Sequence, residues 1–436
     1  MRVTVVGAGL AGCEAAWQIA GNGISVDLIE MKPVKMSPAH VSTDFSELVC
    51  SNSFRSDELT NAVGLLKEEM RRLGSLIMKC ADQTRVPAGG ALAVDRQRFS
   101  SMVTEHIRSH PLISITAREA SDIPDGTAII ATGPLTSDKL SVKLASEFRD
   151  NGMLSFFDSA APIVTLHSVD MDNAWFASRY GKGSDDYINC PLTQDEYTIF
   201  YDALISAETA HVHGFEETLV FEGCMPIEIM AGRGKDTIRY GPLKPVGLYD
   251  PKTGKAPYAV VQLRRDNAEG TLYNLVGFQT HLKFAEQKRV FSMIPALRNA
   301  EFVRYGVMHR NTYIDSPKLL DRYNRLRKDP RIRFAGQITG VEGYVESASS
   351  GLLTGIETAR ELSGSPPADF PAETAIGALP LYTSGGAIAD FQPMNVNFGI
   401  ITPLDIKVKG KRNRNLLISE RSLEIIDRIS GTENAR

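Results

Sequence analysis

The first thirty residues hold the sequence feature that most limits the possible fold. An apolar run, Val3 to Val6, leads directly into the glycine-rich segment GAGLAG (residues 7–12). A short apolar run that ends in glycine indicates a buried parallel strand. A helical pattern follows and stops at Gly21-Asn22-Gly23, and ISVDLIE then forms a second strand pattern that ends at Glu30. These segments predict one β–α–β unit at the start of the chain.

The glycine spacing within this unit predicts a dinucleotide site. Gly7 permits the tight turn, Gly9 lets the backbone approach a pyrophosphate, and Gly12 lets the helix pack on the strand. The helix N-terminus then faces the phosphates with its partial positive charge. Glu30 stands where an acid binds a ribose hydroxyl, and a purely structural role for the glycines does not explain this acid. We therefore predict the following cofactor-binding residues: Gly7, Ala8, Gly9, Leu10, Ala11, Gly12 and Glu30.

Two later segments favour FAD over NAD as the bound cofactor. IIATG (residues 129–133) and FAGQITGVEG (residues 334–343) resemble the ATG strand and the late strand–glycine–helix segment of FAD-binding two-dinucleotide folds. They add these predicted cofactor-binding residues: Gly133, Gly336, Gln337, Gly340 and Tyr344. Tyr344 would stack on the isoalloxazine ring or else pack in the core. Because a flavin must be reduced, NADH or NADPH is expected as a co-substrate.

The order of strand and helix patterns along the sequence predicts two domains. The β–α–β rhythm is absent between about residues 150 and 300 and returns near residue 330, where a strand, a glycine loop and a long helical pattern follow one another. We predict an α/β fold of the FAD-binding two-dinucleotide, Rossmann-like type with an inserted α+β domain. The FAD-binding domain is expected to be discontinuous, residues 1–150 and 301–436, with the inserted domain at residues 151–300.

Composition limits the class of protein. The 436 residues carry a net charge of -4, which argues against a uniformly basic nucleic-acid surface but permits a local basic patch. The five cysteines form no CxxC pair, so neither a disulfide framework nor a metal site is expected. We find no signal peptide and no apolar run of transmembrane length, and a cytoplasmic location without membrane contact is expected.

Two of the cysteines lie in turns that suit reactive thiols. Cys224 lies in the Gly/Pro-punctuated segment FEGCMPIE (residues 221–228), and Cys50 precedes the polar cluster Ser51-Asn52-Ser53. That cluster reads as a turn or helix N-cap, and a thiol near helix N-terminal N–H groups has more thiolate character. A buried structural role is the alternative for each. Cys13, Cys80 and Cys190 are expected to be structural.

Long segments in a fixed order resemble one family, the folate- and FAD-dependent tRNA (uracil-5-)-methyltransferases called TrmFO. Besides GAGLAG and FEGCMPIE they include ELVCSNS, LTNAVGLLKEEMRRLGSLI, RVPAGGALAVDR, IIATGPLTS, DYINCPLT, GPLKPVGLYDPKTGK, NLVGFQT, RYGVMHRNTYI and FAGQITGVEGYVESA. Small departures occur in AHVSTDF, where a second histidine is expected, and in QLRRDN, where glutamine is expected at Arg265. Neither departure touches the two thiols or the glycines.

The resemblance implies a reaction. A one-carbon unit from 5,10-methylenetetrahydrofolate is placed on carbon 5 of the uridine at position 54 in the tRNA T loop, and FADH2, regenerated by NAD(P)H, supplies the reducing equivalents. The family's two catalytic thiols match Cys50 and Cys224. We assign Cys224 to attack on carbon 6 and Cys50 to removal of the carbon 5 proton or to support on the flavin side, although the order of the two could be reversed. No metal and no protein partner is implied.

The implied RNA partner requires a basic surface. The first candidates are Lys407, Lys409, Lys411, Arg412 and Arg414, and the second are Arg322, Arg325, Arg327 and Lys328. A solvated face is the alternative for such runs. His309 is a further candidate for contact with folate or flavin, with a core histidine as the alternative.

Three alternative functions are open. The same chemistry on a ribosomal RNA uridine is one. A GidA-type enzyme that modifies the wobble uridine shares the FAD fold, but that group carries an additional C-terminal helical domain for which we expect no room here. An NAD(P)H-dependent flavin or thiol oxidoreductase is the third, although a close cysteine pair is missing.

Overall fold

The computed structural model describes residues 1–37, 39–148, 153–159, 161–181, 185–210, 225–306, 308–385 and 391–431, with the backbone alone described at 153–159 and 308–310. Cys224 therefore lies outside the described residues, as does the side chain of His309.

The strands are β1 (Arg2–Val6), β2 (Ser25–Glu30), β3 (Ser53–Ser56), β4 (Arg85–Val86), β5 (Ala91–Val94), β6 (Ile113–Ala117), β7 (Ala128–Ile130), β8 (Met153–Ser159), β9 (Ile163–Thr165), β10 (Trp175–Phe176), β11 (Tyr187–Leu192), β12 (Ala259–Arg265), β13 (Leu272–Leu275), β14 (Phe302–Arg304), β15 (Met308–Ile314), β16 (Arg325–Leu326) and β17 (Asp329–Phe334). The helices are α1 (Leu10–Gly21), α2 (Ala62–Arg72), α3 (Leu76–Gln83), α4 (Arg96–Ser109), α5 (Asp138–Phe148), α6 (Gln194–Ile205), α7 (Ile227–Gly232), α8 (Thr237–Tyr240), α9 (Phe284–Phe291), α10 (Ser316–Leu319), α11 (Tyr344–Leu362), α12 (Ala375–Ser384) and α13 (Lys411–Gly431).

A mainly parallel sheet is built from both ends of the chain. Within the described residues it has six strands in the order β16-β17-β7-β1-β2-β6. Strand β1 lies parallel to β2 and β7, with Val5 opposite Leu28 and Ile129, and β17 lies parallel to β7. These apolar side chains are fully buried, as expected for a parallel sheet covered on both faces. The predicted α/β class with a Rossmann-like sheet is confirmed.

Helices α1 and α11 cover one face of this sheet and touch through glycine. A Cβ added at Gly351 would lie 2.7 Å from the Cα of Ala11, and one added at Gly355 would lie 2.9 Å from the carbonyl oxygen of Ala15. No side chain fits between the two helices at these points. The late helix therefore fixes the position of α1, the helix that follows the glycine-rich turn.

The middle of the chain forms a second sheet with its own core. In the described part of the chain its six strands run in the order β10-β11-β12-β13-β9-β14, and the neighbouring strands are antiparallel. Helices α6, α7 and α9 contribute buried residues such as Phe200, Ile227 and Phe291 to this core. Strands β8 and β15 pair in antiparallel register beside it, where the chain leaves and rejoins the first sheet.

Candidate active site

A cavity of about 400 Å³ opens beside the carboxyl ends of β1 and β2. The predicted residues that line it are Gly7, Ala8, Gly9, Leu10, Ala11, Glu30, Cys50, Gly133, Gly336, Gln337 and Tyr344. Arg264 and Gln279, from the middle of the chain, lie in the same wall. The predicted glycine-rich turn and one of the two predicted thiols, which lie apart in the sequence, thus line the same cavity.

The glycine-rich turn has the shape that its sequence predicts. Gly7 has a φ of 100°, and a Cβ there would lie 2.5 Å from the carbonyl oxygen of Ala131. A Cβ at Gly12 would overlap the Gly7 carbonyl oxygen, whereas one at Gly9 would meet nothing within 4 Å. Gly12 therefore lies behind the cavity wall and permits the close packing, and Gly9 leaves open space in front of the α1 N-terminus.

Glu30 ties the glycine-rich turn to the end of β2. Its carboxylate accepts hydrogen bonds from the N–H groups of Ala8 (2.6 Å) and Lys32 (3.0 Å). The side chain is buried but reaches the cavity. Each carboxylate oxygen has a second lone pair, so Glu30 can hold the turn and still accept a hydrogen bond from a ligand hydroxyl.

The later glycines divide into two groups. Gly133 and Gly336, with φ values of 66° and 84°, line the cavity. A Cβ at Gly336 would lie 2.8 Å from the Cβ of Ala11, so this glycine lets the late segment approach α1. Gly340 instead packs on the Phe391 ring behind the wall. We expected Gly340 to bind cofactor, but it does not line the cavity.

These residues fit a dinucleotide such as FAD. Space for a pyrophosphate lies in front of Gly9 at the α1 N-terminus, whose first turn contains no acidic side chain. Glu30 provides the ribose acceptor. His40 also lines the cavity, and burial together with the Lys32 charge lowers its pKa to about 4, so its imidazole is neutral at neutral pH.

The Cys50 turn is held by a tyrosine hydroxyl. The Tyr344 oxygen accepts hydrogen bonds from the N–H groups of Cys50 (2.7 Å) and Ser51 (3.0 Å). Burial raises the pKa of Tyr344, and the nearby Cys50 raises it further. The sequence predicted either ring stacking or core packing for Tyr344, and it gave no sign of this role for the hydroxyl. The residue joins the N-terminus of α11 to a turn almost three hundred positions away in the chain.

Two readings were open for the polar cluster after Cys50, a turn or a helix N-cap, and the N-cap reading is wrong. The chain runs from the turn into β3, and α2 begins only at Ala62. Asn52 does not cap a helix, because its amide donates to the carbonyls of Val94 (2.9 Å) and Arg265 (2.8 Å). The polar cluster after Cys50 therefore serves as a contact between the two halves of the molecule.

Two arginines that sequence analysis missed also hold this turn. Arg96 donates from Nη1 to the carbonyl of Leu48 (2.8 Å). Arg264 donates from Nε to Asn52 Oδ1 (3.1 Å) and from Nη2 to Ser51 Oγ (2.6 Å). Both residues lie in segments that were quoted for the resemblance or its departures, VDR and QLRRDN, but nothing local distinguishes them from surface arginines.

The residues that flank the undescribed Cys224 segment form hydrogen bonds with residues 279–281. Ala210 donates to the carbonyl of His281 (2.7 Å), and Ile227 donates to the carbonyl of Gln279 (2.8 Å). Glu228 accepts from the Thr280 hydroxyl (2.8 Å). The described chain on both sides of residues 211–224 is thus tied to one segment, in which Gln279 lines the cavity.

The remaining cysteines are fully buried, as their expected structural role requires. Cys13, Cys80 and Cys190 have no exposed surface. Burial raises the pKa of Cys13 and of Cys80 to about 12, and it raises that of Cys190 as well. None of the three lines the cavity.

The two basic candidate groups differ in their surroundings. The first group is exposed: Lys407, Lys409, Lys411, Arg412 and Arg414. In the second group Arg322 pairs with Asp369 (3.1 Å) and Arg325 pairs with Asp321 (2.7 Å), while Arg327 donates to a backbone carbonyl and Lys328 is exposed. Charges already paired are less available to phosphates, so the first group is the better candidate.

Two other kinds of feature are absent from the described part of the chain. None of its helices has both the length and the apolar character to cross a bilayer. The same residues contain no group of three or more His, Cys, Asp or Glu side chains that could hold a metal ion.

Comparisons with known proteins agree with this architecture. Residues 2–366 match the family described as "Glucose inhibited division protein A". The solved structure of Aquifex aeolicus GidA superimposes with TM-scores of 0.66 and 0.67 in two crystal forms, at 15% and 16% identity, over 98% of this chain and 73% and 76% of those chains. At that identity the likeness shows the fold alone.

Relatives of much higher identity share one name, "Methylenetetrahydrofolate--tRNA-(uracil-5-)-methyltransferase TrmFO". The protein of Acetivibrio thermocellus is 62% identical over 425 residues, 97% of each chain. That of Desulforamulus reducens is 60% identical over 426 residues, 98% of this chain and 96% of its own, and that of Enterococcus faecalis is 57% identical over 424 residues, 97% of each. On this full-length similarity, the chain belongs to the TrmFO family, within the broader family of glucose inhibited division protein A.

Proposed function

We propose that this protein is a cytoplasmic enzyme that transfers a one-carbon unit from 5,10-methylenetetrahydrofolate to carbon 5 of a tRNA uridine. The target is position 54 of the T loop, FAD is the bound cofactor, and NAD(P)H reduces it. The name shared by the full-length relatives supports the reaction and the tRNA substrate. The sequence resemblance supports the position and the reductant.

One observation carries the proposal. Cys50 lines the same cavity as the glycine-rich turn and Glu30. A flavin enzyme without thiol chemistry needs no cysteine there, and a thiol enzyme without a dinucleotide needs no such turn. Their presence in one wall fits a reaction that uses a thiol and a flavin on the same substrate.

The proposed cofactor contacts follow from the cavity wall. The backbone of residues 7–11 faces the pyrophosphate, and Glu30 accepts from a ribose hydroxyl. Gly133, Gly336 and Gln337 form the part of the wall that approaches the flavin end. FAD, when bound there, supplies the reducing equivalents for the methyl group.

The thiols perform the activation that the pyrimidine requires. Carbon 5 of uracil is a poor nucleophile, and a thiolate that adds to carbon 6 makes it enolate-like. After the one-carbon unit has attached, a base removes the carbon 5 proton and the thiol leaves. We assign the attack to Cys224 and the proton to Cys50, with the reverse assignment as the alternative. The contact of Ile227 with Gln279 at the cavity supports this role, because Ile227 is three positions after Cys224.

A tRNA must present the uridine to this cavity. The target base has to leave its stack at a cost of a few kcal/mol. Exposed cations on the surface would offset that cost by contacting phosphates. We propose Lys407, Lys409, Lys411, Arg412 and Arg414 for these contacts, because all five are exposed.

The experiment that tests the proposal is an anaerobic assay with unmodified tRNA transcript, NADPH and methylenetetrahydrofolate labelled in its one-carbon unit. Wild type, Cys50→Ala and Cys224→Ala are compared, and Cys80→Ala serves as the control for loss of a buried thiol. Nucleosides are separated after digestion. Label in 5-methyluridine is expected from wild type and the control, and none is expected from the two other variants.

Other outcomes would change the assignment. Label from one of the two thiol variants would reduce that cysteine to a supporting role. A transcript with uridine 54 replaced by cytidine must stay unlabelled, or the position is wrong. NADPH consumption without label in tRNA would favour ribosomal RNA as substrate, or a simple flavin or thiol oxidoreductase.

A further inference from the structure

Arg264 brings a cation from the second sheet into the cavity. It is the sixth residue of β12, the residue is 9% exposed, and it lines the cavity that Cys50 also lines. Its hydrogen-bond partners among the described residues are Ser51 Oγ and Asn52 Oδ1, at 2.6 and 3.1 Å. The guanidinium is therefore fixed against the turn that carries Cys50.

Nothing in the described chain neutralises this charge at close range. Both partners of Arg264 are neutral oxygens, and no described carboxylate forms an ion pair with it within 4.0 Å. The nearby Asp266 instead pairs with Arg96 at 3.0 Å. Burial accordingly lowers the pKa of Arg264. A buried cation without a carboxylate partner is costly, and this cost is expected where the charge serves a ligand.

The guanidinium of Arg264 also has N–H groups that its two described hydrogen bonds do not use. Arginine carries five N–H groups in a planar fork, and the contacts to Ser51 and Asn52 use two of them. Among the described residues the Nη1 group has no acceptor within hydrogen-bonding distance. A planar group with open donors suits a charged oxygen on a planar ligand.

We infer that Arg264 is the oxyanion-binding residue of the site and holds the C4 oxygen of the reacting uracil. When a thiolate sulfur bonds to carbon 6, the electron pair of the carbon 5–carbon 6 double bond moves toward carbon 4, and the C4 oxygen takes the negative charge. When carbon 5 forms its bond to the one-carbon unit, the C4 carbonyl forms again and the charge leaves. Donors fixed before the charge develops stabilise it without reorganisation.

This inference rests on the proposed function for the identity of the ligand, but not for its charge. A carboxylate of the folate would offer the same charged-oxygen chemistry as the uracil C4 oxygen. The two sources differ in when the charge exists. The folate carboxylate is charged throughout binding, whereas the uracil oxygen is charged only during reaction, so only the first should act on KM.

The first test is kinetic and uses Arg264→Gln and Arg264→Lys in the full chain. Arg265→Gln is the matched control, because it removes the neighbouring cation on the opposite face of β12. Arg264→Gln should lower kcat about 100- to 1000-fold with little change in either KM, as loss of an oxyanion donor does. Arg264→Lys should recover part of kcat. A rise in the KM for methylenetetrahydrofolate with kcat retained would assign Arg264 to the folate and overturn the inference.

The second test needs no turnover. Cys50 is alkylated with anionic iodoacetate or neutral iodoacetamide, and the two rates are read from the tryptic peptide of residues 36–55, which contains no other cysteine. The quantity compared is the iodoacetate rate divided by the iodoacetamide rate. A general loosening of the turn would change both rates alike and leave this ratio unaltered. Loss of the Arg264 charge should lower this ratio about tenfold in Arg264→Gln, since a nearby cation in a partly buried site attracts the anionic reagent and not the neutral one. Arg264→Lys and Arg265→Gln should keep it.

The two tests separate the possible failures. If wild type makes no 5-methyluridine but its alkylation ratio depends on Arg264, the proposed function fails and the anion-binding role stands. If wild type is active and neither kcat nor the ratio depends on Arg264, the inference is overturned and the residue is only structural.

Discussion

Removal of one oxygen atom should release the Cys50 turn. In Tyr344→Phe the aromatic ring stays, so any contact between the ring and the flavin is retained. The N–H groups of Cys50 and Ser51 lose their common acceptor, to which they now donate at 2.7 and 3.0 Å. A buried N–H without a partner costs about 1–3 kcal/mol. With partial relaxation the turn should lose about 2–4 kcal/mol of local stability.

Amide hydrogen exchange measures this loss directly. The predicted cost corresponds to exchange about 30- to 1000-fold faster at Cys50 and Ser51, since 1.4 kcal/mol is a factor of ten. The global unfolding free energy is a poorer readout, because a chain with two cores need not unfold in one step. The rate of one-carbon transfer should fall about 100-fold, as a displacement near 1 Å of a catalytic group can cause. Flavin content should not change.

The control is Tyr201→Phe, which removes a hydroxyl that donates to the carbonyl of Ala231 at 3.1 Å in the second core. It should leave exchange at Cys50 and the transfer rate unaltered. Exchange that is equally slow at Cys50 in wild type and Tyr344→Phe would refute the reasoning, since the hydroxyl would then not be the acceptor. Loss of flavin from Tyr344→Phe would also refute it, because the ring alone was expected to face the cofactor.

Three further changes test the surrounding structure. Gly351→Ala should lower the thermal stability by about 1–3 kcal/mol and release flavin, because its Cβ would lie 2.7 Å from Ala11 Cα, whereas Gly21→Ala, with nothing within 4 Å, should be neutral or stabilising. Burial raises the pKa of Glu69 in the folded protein to about 7, above its usual value. Glu69 therefore contributes stability that is fully present below its usual pKa and is lost as the pH rises through 7. Wild type should therefore lose about 3 kcal/mol relative to Glu69→Gln between pH 4 and pH 8 in thermal melts, and a constant difference would contradict this. Lys67→Met leaves three backbone carbonyls of the segment after the Cys50 turn without their donor and should cost about 3–5 kcal/mol, measured as faster amide exchange in β3.

The first β–α–β unit could be predicted because its signals are local. Gly7, Gly9 and Gly12 are each required by the geometry of residues close by in the sequence. The position of Glu30 is predicted by the length of the β–α–β unit. The late segment at Gly336 could be predicted for the same reason. The order of the strands in the second sheet could not, because β9 pairs with β13 and β14, far along the chain, and no local pattern fixes such partners.

The Cys50 turn shows where local reasoning fails. Serine and asparagine side chains serve as helix caps and as contacts between distant segments with the same hydrogen-bonding groups. The cluster that contains Asn52 was read as a turn or a helix cap, but one partner of Asn52, the Arg265 carbonyl, is 213 positions away. Arg264 gave no signal at all, since an arginine in a strand is usually on the surface. Only the docking of the two sheets shows that this one is buried.

That docking makes the position of Cys50 depend on both sheets at once. Tyr344 holds the turn from the helix that packs against α1, and Arg264 holds it from β12 of the second sheet. The Arg264 contact can form only after the two sheets have met, whereas the Tyr344 contact and the glycine-rich turn both lie within the first core. A cofactor-binding wall can thus exist in a molecule whose thiol is still misplaced. Because this one short turn is shared by two cores, the set of hydrogen bonds that holds Cys50 is complete only in the docked protein.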